Sequence, residues 1–381
     1  MSLKSILYLC TSTIILVGCN TSVKEVNIGA ILPLSEYAVV LGEETKNTYL
    51  LVIDEYNSTK KDNEPKINLV VEDGQWGVKK ELTLEKYNKL HDQFKCKTFL
   101  ISNFSGTAFI EDEVIKDNSI VVNPFINNEV FSKLNRNFFK IAPSTYDEHA
   151  DLAESIIDKK LKNIDIVHLK STIWNDRASV VKTLLDEENI RHKSLKFKHK
   201  EIVNYDSIIK QWKHNNTDGI VFLGGTSMYE LTKRAIAQRV KIPMFWSTNL
   251  VNERRWDTVK KVDLNNVEYT FFTELDGNYI LANQFLQNYK KKYHKMPDYI
   301  SVNLQAYDAI SLLIDKIRTI NTSKDNEISY SDWLRRRLYR TKYYQGVSGN
   351  LSISEDGSVI GIKPSVYKIT EEGRIYKKRY D

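Results

Sequence analysis

The sequence predicts an α/β protein built from two lobes, each of them a doubly wound parallel sheet. Short apolar runs alternate with longer amphipathic segments, which is the pattern of parallel strands joined by helices. These units are too many for one sheet, and 381 residues, of which 41% are hydrophobic, suffice for two cores. No Pro/Gly/Ser-rich spacer separates the halves. The lobes are therefore expected to be joined by ordinary strand crossings.

The first residues resemble a bacterial lipoprotein signal. Lys4 gives a small positive region, Ile6 to Val17 is apolar but short for a membrane span, and Leu16-Val17-Gly18-Cys19 matches a lipobox. Residues 1–18 are predicted to be removed, Cys19 to be lipidated and residues 19–25 to form a tether. The alternative is a secretory signal with a chance cysteine. The expected location is the cell envelope, with the lipid-anchored protein facing the periplasm or the exterior.

Strands are predicted where short apolar runs stand between turn-forming segments. These runs are Val26 to Leu32, Ile67 to Glu72, Thr98 to Ser102, Ile120 to Asn123, Phe138 to Ala142, Ile164 to Leu169, Gly219 to Leu223, Met244 to Ser247 and Val267 to Thr273.

Helices are predicted where apolar residues recur with the helical period between those runs. These segments are Thr45 to Tyr56, Lys79 to Asp92, Asp147 to Lys160, Asp176 to Glu188, Asp206 to Lys213, Tyr229 to Gln238, Tyr279 to Tyr293 and Leu304 to Ile320.

The last part of the chain departs from this alternation. Asn321 to Asn326 is loop-like, and a short basic helix is predicted over Tyr330 to Arg340. A hairpin-like tail follows, because two turn signals interrupt three strand-like runs. The runs are Gly349 to Ser354, Val366 to Thr370 and Ile375 to Arg379, and the turns are Glu355-Asp356-Gly357 and Glu371-Glu372-Gly373.

Cysteine content and charge exclude several classes of protein. Loss of the signal removes Cys10, and lipidation occupies Cys19, so Cys96 is left as the free thiol and no intramolecular disulfide can form. Cys96 is predicted to pack in the core. The net charge is +6, and the basic runs at 290–292 and 335–337 lie in helical patterns with acids nearby. They are interpreted as solvated faces, and no nucleic-acid partner is expected.

The sequence carries no catalytic signature, so an enzyme is not expected. It has no G-x-S-x-G, H-E-x-x-H, C-x-x-C, Walker or G-x-G-x-x-G motif. The 7 histidines are dispersed without metal-ligand spacing. Neither a metal nor a cofactor is predicted.

Several motifs in order resemble type I periplasmic binding proteins of the leucine/isoleucine/valine-binding class. The chain is similar to this family from its first strand to its closing segment. The motifs are Asn27-Ile28-Gly29-Ala30-Ile31-Leu32-Pro33-Leu34-Ser35 with Gly42, Leu69-Val70-Val71-Glu72-Asp73, Phe139-Lys140-Ile141-Ala142-Pro143-Ser144, Asp218 to Gly225, Ala306-Tyr307-Asp308-Ala309 and Gly346-Val347-Ser348-Gly349-Asn350-Leu351 with Asp356-Gly357.

The resemblance implies a clamp of two lobes that closes on a ligand at a hinge. Lobe one would contain residues 26–142 and 274–346, and lobe two would contain residues 143–273 and 347–381. The chain would cross three times, near Ala142, Thr273 and Gly346. Open α/β sheets bind ligands beyond the carboxyl ends of their strands, which agrees with a site in the cleft.

The resemblance also implies which residues hold the ligand. Ser105, Gly106 and Thr107 follow the third strand, where the family binds a carboxylate through hydroxyls and amides at the start of a helix. Gly106 replaces a hydroxyl of the family. The alternative is that Ser105 or Thr107 only caps the helix. In the first loop, Ser35 belongs to the opening motif, and Leu41 stands where relatives often have an aromatic residue.

The remaining implied ligand residues depart from the family. Phe125 and Asn127 replace smaller residues and a threonine after the fourth strand, so a narrower pocket is expected. Trp174 stands at a position that is often tyrosine, and either closes over ligand or packs on its own lobe. Thr226 replaces a frequent aromatic residue.

Thr248 replaces the Asp or Glu with which amino-acid-binding relatives neutralise the ligand's ammonium group. A buried ammonium without an acid would cost several kcal/mol. Either a nearby acid such as Glu274 or Asp276 substitutes, or the ligand is not an ordinary amino acid.

These observations predict a solute-binding protein that delivers a small polar ligand, such as an amino acid, an amide or a carboxylate, to an ABC permease. Two alternatives stay open. One is a sensor that reports the ligand to a membrane receptor. The other is a regulatory or scaffold lipoprotein whose clamp has lost its ligand.

Overall fold

The computed structural model describes residues 23–75, 79–103, 105–198, 201, 203–224, 226–247, 267–271, 280–322, 328–370 and 373–378. It confirms the predicted α/β class, with helices covering two mostly parallel sheets. The signal, Cys19 and the tether before Val23 lie outside the described residues, as do most of the loop before Ile328 and the second turn of the tail.

Lobe one contains a parallel sheet of five strands in the order β2-β1-β3-β4-β5. Its strands are β1 (Glu25–Leu32), β2 (Lys66–Asp73), β3 (Thr98–Ile101), β4 (Ile120–Asn123) and β5 (Phe138–Lys140). β1 and β2 pair in parallel, from Glu25 opposite Lys66 to Leu32 opposite Asp73. All carboxyl ends therefore meet at one edge of the sheet.

Helices connect the strands, and each predicted helical segment overlaps one of them. They are α1 (Val39–Thr59), α2 (Lys80–Phe94), α3 (Ser105–Phe109), α4 (Glu111–Lys116), α5 (Glu129–Ser132), α6 (Thr145–Asp158), α7 (Thr172–Glu187), α8 (Tyr205–His214), α9 (Thr226–Ala237), α10 (Ile280–Tyr293), α11 (Ile300–Ile317) and α12 (Tyr330–Tyr339). The short helices α3, α4 and α5 were not predicted. In lobe one, α1, α11 and α12 cover one face of the sheet. On the other face, α2 and α4 bury a second apolar layer.

Lobe two contains a sheet of seven strands in the order β15-β14-β10-β9-β8-β6-β7. Five are parallel, and the last two strands of the chain pair antiparallel beside β10. The strands are β6 (Asn163–Leu169), β7 (Arg191–Phe197), β8 (Gly219–Leu223), β9 (Met244–Trp246), β10 (Val267–Phe271), β14 (Ser365–Thr370) and β15 (Gly373–Lys378).

The small strands β11 (Tyr344–Gln345), β12 (Asn350–Ile353) and β13 (Val359–Ile360) form an antiparallel sheet of their own. Leu351, Ile353 and Val359 are buried in the apolar core of lobe one. The structure thus places the third crossing between β13 and β14, later than the predicted boundary at Gly346, because this hairpin packs its apolar side chains on lobe one.

The predicted turn at Gly357 lies within this hairpin. Gly357 has a φ of +79°, and a Cβ there would lie 2.3 Å from the carbonyl oxygen of Phe138. Its own carbonyl accepts a hydrogen bond from the amide of Lys140 (2.9 Å). Glycine is therefore required where the hairpin meets β5.

Lys140 is a fully buried cation close to the first crossing. Its ammonium donates to the carbonyl oxygen of Asp356, and Nζ lies 3.8 Å from the Asp356 carboxylate. Burial lowers the pKa of Lys140, and the Asp356 carboxylate partly opposes this effect. The pair ties the last strand of lobe one to the β12–β13 turn.

Cys96 is buried and unpaired, as the packing interpretation predicted. Burial raises the pKa of its thiol to about 12, so the thiol stays protonated and unreactive. No helix in the described part of the chain combines the length and apolar character that a membrane crossing requires.

Candidate functional site

A cavity lies between the two lobes at the carboxyl end of β4. Its volume is about 50 Å³, which is room for a few waters. The β4–α5 loop and the start of α11 contribute from lobe one, and the starts of α6 and α7 contribute from lobe two. The lining residues are Phe125, Ile126, Asn127, Asn128, Ala142, Pro143, Thr145, Glu148, Ile173, Asp176, Arg177, Ser301, Val302 and Gln305.

An ion pair stands on the lobe-two side of this cavity. The Arg177 guanidinium lies 3.0 Å from Oε2 of Glu148, and both side chains are largely buried. The same guanidinium stacks on the ring of Trp174 at 4.8 Å. The positive charge is thus fixed by one carboxylate and one aromatic face, and the polar groups in the cavity are pre-oriented.

A direct hydrogen bond links the lobes at the cavity wall. Asn128 Nδ2 donates to Asp176 Oδ2 (3.1 Å). The Asn128 side chain also caps α5, because its Oδ1 accepts from the Phe131 amide (3.2 Å). Asn128 is held by its own lobe and therefore presents a fixed donor to lobe two.

The loop after β3 is stabilised by buried side-chain amides. Asn103 Oδ1 accepts from the Thr107 amide (3.0 Å), and the Thr107 hydroxyl donates to the Asn103 carbonyl (2.6 Å). Asn123 Nδ2 donates to the same carbonyl (3.1 Å). The side-chain acceptor at the start of α3 is thus Asn103 and not Thr107, whose amide and hydroxyl both have partners. The side chain of Ser105 lies outside the described residues.

Gly106 is explained by close packing between α3 and α2. A Cβ at this position would lie 2.0 Å from Thr83 Oγ1 and 2.6 Å from Asn103 Oδ1. Thr83 Oγ1 is itself held, because it accepts from Asn103 Nδ2 (3.1 Å). The hydroxyl residue found in the family has no room here.

Replacing Gly106 by serine is therefore expected to lower the free energy of unfolding by about 1–3 kcal/mol through overpacking. Denaturant unfolding of the purified protein measures this loss. Ala108→Ser is the matched control, because Ala108 lies on the same short helix and is half-buried. An equal effect of both serines would contradict the packing explanation.

The loop after β4 places two of the predicted ligand residues in the cavity wall, Phe125 and Asn127. Asn123 Oδ1 accepts from the amides of Phe125 (2.9 Å) and Ile126 (3.1 Å). Asn127 Nδ2 donates to the Ala142 carbonyl (3.0 Å), and its Oδ1 accepts from the Ser358 hydroxyl (3.2 Å). Asn127 thus joins the first crossing to the β12–β13 hairpin.

The other predicted ligand residues are not gathered at this cavity. Ser35 is half-buried before a 3-10 turn at Glu36–Ala38. Leu41 does not lie in a loop, because α1 begins at Val39 and buries this side chain. Trp174 is half-buried and reaches the cavity through Arg177.

Thr226 begins α9, but its side chain lies outside the described residues. Thr248, Glu274 and Asp276 also lie outside them. How the ligand's ammonium group would be neutralised therefore remains a prediction.

The sequence did not indicate several polar residues of the cavity, chiefly Glu148, Asp176, Arg177, Ser301 and Gln305. The only available signal was position, since Glu148 lies in the first turn of α6 and Ser301 in that of α11. Both helices begin at the lobe boundary, where first-turn residues face the cleft.

Comparisons with known proteins agree with this architecture. The sequence profile described as "Periplasmic binding protein" matches residues 25–364. A comparison with curated protein sequences gives no match.

Solved structures of solute-binding proteins superpose on nearly the whole chain. One is the branched-chain amino acid transporter substrate binding protein LivJ from Streptococcus pneumoniae in complex with isoleucine, with 16% identity, TM-score 0.75, and 93% of this chain and 100% of that chain covered. Another is a solute binding protein from R. palustris in complex with benzoate, with 14% identity, TM-score 0.77, and 93% and 96% covered. At these identities the likeness shows a shared fold.

The profile match spans both lobes, from the first residue of β1 to the residue before β14. It confirms the resemblance inferred from the sequence motifs and agrees with the expectation of a binding protein rather than an enzyme. The chain belongs to the periplasmic binding protein family.

Proposed function

We propose that this protein is a lipid-anchored, extracytoplasmic solute-binding protein that captures a small polar molecule between its lobes and delivers it to an ABC permease. The observation that carries this proposal is the cavity lined by both lobes. Its charged lining residues, Glu148, Asp176 and Arg177, offer both hydrogen-bond donors and acceptors. A ligand that contacts both walls stabilises the closed clamp, which is how binding drives closure.

The structural neighbours support a broad choice of ligand class. They include proteins solved with isoleucine and with benzoate, and a fatty acid ABC transporter substrate-binding protein from Thermomonospora curvata. An amino acid, an amide or another small carboxylate is the class proposed here. Thr248, in place of an acid, favours a ligand without an ammonium group.

The segment that leads to the proposed anchor would leave lobe one at the end opposite the cavity. Val23 and Asn321 exchange two hydrogen bonds (2.8 and 2.9 Å) just before β1. The amino end of β1 is opposite the edge at which the cavity opens. An acyl chain on Cys19 would then hold lobe one to the membrane without blocking the cleft.

A thermal-shift screen against amino acids, small amides, carboxylates and short peptides tests the proposal. A ligand that binds only the folded state is expected to add about 2.7 kcal/mol of stability at a hundredfold excess over its Kd. Ser105→Ala combined with Trp174→Ala is expected to abolish the shift if the implied ligand residues are correct. A broad screen without any stabilising compound would contradict the proposal.

A regulatory or scaffold lipoprotein is the second candidate function. It is favoured by the loop amides of Phe125, Ile126 and Thr107, which are already satisfied by Asn123 and Asn103. Donors that are engaged internally are less available to a ligand. A thermal-shift screen without any stabilising compound, together with a stable protein partner in the cell envelope, would favour this function.

A further inference from the structure

The basic helix α12 runs across the amino ends of the lobe-one strands. Near its start, the Tyr330 hydroxyl lies 3.0 Å from that of Thr98, the first residue of β3. In its middle, the Arg335 guanidinium donates to Asn118 (2.9 Å) and Asn137 (2.6 Å), which precede β4 and β5. The helix therefore covers the edge of the sheet opposite the cleft.

The part of this edge formed by α12 carries more positively charged side chains than nearby carboxylates. Residues 329–343 contain five Arg or Lys residues and one acid, Asp332, and Asp332 is paired with Arg335. Arg337 stacks on Trp333 at 5.2 Å. On the neighbouring β12–β13 turn, Glu355 is an exposed acid. Exposed cations of the edge include Arg136, Arg336, Arg340 and Lys342, and we call these four the basic edge.

The chain leaves lobe one toward the proposed anchor at the same edge. β1 pairs with β3 with Ile28 opposite Thr98, the first residue of β3, so Val23 lies five residues, about 17 Å, beyond the amino end of β3 on this same side of the sheet. Cys19 is four residues before Val23, a reach of at most about 14 Å. A lipid on Cys19 would place the basic edge on the side of lobe one that faces the membrane.

The geometry points to the basic edge as a docking surface for the anionic phospholipid headgroups of the membrane that holds the anchor. This inference rests on the lipid anchor of the proposed function. Charge complementarity and the short tether both favour lipid as the partner, because the tether leaves lobe one on the side that carries the basic edge. Docking would orient lobe one with the carboxyl ends of its strands pointing away from the bilayer.

Vesicle sedimentation of the chain lacking residues 1–19 measures membrane binding by the basic edge in the absence of the acylated Cys19. This form retains every contact described above. The probes are vesicles of phosphatidylcholine alone and of phosphatidylcholine mixed with phosphatidylglycerol. We expect binding only to the mixed vesicles, with loss of binding at high salt as charges are screened. Equal binding to both vesicles, or none to the mixed vesicles, would overturn the inference.

A triple variant locates the effect on the basic edge. Each cation near an anionic surface contributes about fivefold to partitioning, so Arg336→Gln/Arg340→Gln/Lys342→Gln is expected to bind the mixed vesicles about 100-fold more weakly. The control Lys210→Gln/Lys213→Gln/Lys241→Gln removes three exposed cations from lobe two and should bind like the unmodified chain. An equal loss of vesicle binding in both variants would show that only net charge matters, and would overturn the inference that the basic edge is the docking surface.

This experiment needs neither a solute nor acylation. Its failure is therefore distinguishable from failure of the proposed ligand site, which the thermal-shift screen reports. Because all the substituted side chains are exposed, both triple variants are expected to keep the melting temperature of the unmodified chain.

Discussion

Replacing Asp308 by alanine is expected to lower the free energy of unfolding by about 2–4 kcal/mol. Asp308 is fully buried on α11 and accepts from the amides of Val347 (2.6 Å) and Ser348 (2.8 Å) and from the Ser348 hydroxyl. The substitution leaves these buried donors without their acceptor, at about 1–3 kcal/mol each when unsatisfied. Denaturant unfolding at neutral pH measures the loss.

Asp315→Ala is the matched control for this prediction. Asp315 lies on the same helix, but its side chain is 42% exposed and pairs with the neighbouring Lys316. The control is expected to change stability much less. If the two alanine variants unfold at the same denaturant concentration, the role of Asp308 in fixing the start of the last segment is wrong.

The carboxyl of Asp308 also gives stability a defined pH dependence. Burial raises its pKa to about 6, against the hydrogen bonds from Ser348 and Val347, which lower it. In the unfolded chain the pKa of Asp is about 3.9. The folded state therefore binds the proton more tightly, and stability from this group is complete below about pH 4 and falls as pH rises through 6, by about 3 kcal/mol.

Asp308→Asn is expected to remove this fall between pH 4 and 6, because its amide does not titrate. Thermal unfolding of both proteins across this range measures the difference in slope. A variant with the same slope as the unmodified chain would show that another group is responsible.

Replacing Arg177 by methionine is expected to cost about 3 kcal/mol of stability. The Glu148 side chain, which is 6% exposed, would lose the guanidinium that lies 3.0 Å from its carboxylate. Breaking a buried ion pair by removing one partner costs about 3–5 kcal/mol, and methionine keeps part of the packing against Trp174. Urea unfolding measures the loss, and Glu148→Gln added to Arg177→Met should restore most of it.

The matched control is Arg234→Met in the same lobe. Arg234 pairs with Asp206 at 2.8 Å, but both side chains are more than half exposed. Water screens such a pair, so a much smaller loss is expected. Similar losses of stability for the two arginine variants would show that burial beside the cavity does not increase the contribution of the Glu148–Arg177 pair to stability.

Regular elements could be predicted because their apolar pattern is local. The predicted strand over Val26 to Leu32 differs from β1 by one residue, and the predicted helix over Tyr279 to Tyr293 agrees with α10 at its last residue. β7 was missed because Arg191–Phe197 is an edge strand paired only with β6, and its polar sequence has little apolar signal.

Boundaries set by tertiary contacts could not be predicted. α1 begins at Val39, six residues before the predicted start. The prediction missed this first part of the helix because Val39 and Val40 are apolar but exposed, and so do not fit an amphipathic pattern. Gly42, which precedes the predicted helix, lies inside α1, where a Cβ would stand 1.9 Å from the Pro33 carbonyl oxygen. Only the fold reveals that close approach.

The candidate site was predictable only at the level of loops. The resemblance pointed to the loops after β3 and β4, and Phe125 and Asn127 do line the cavity. The partners of these loops come from distant sequence, such as Arg177 with Glu148 across 29 positions. A single sequence shows neither the pairing of those charges nor the amides that Asn103 and Asn123 already satisfy.

Calorimetric titration of a compound identified by the thermal-shift screen, into the unmodified chain and into Ser301→Trp, tests the interlobe site most directly. Ser301 lines the cavity, and an indole there is larger than the space and would hold the lobes apart. Ser58→Trp, at an exposed position near the end of α1, is the control. We predict binding to the unmodified chain and to Ser58→Trp, and at least tenfold weaker binding to Ser301→Trp. Equal affinity for all three proteins would contradict a ligand site between the lobes.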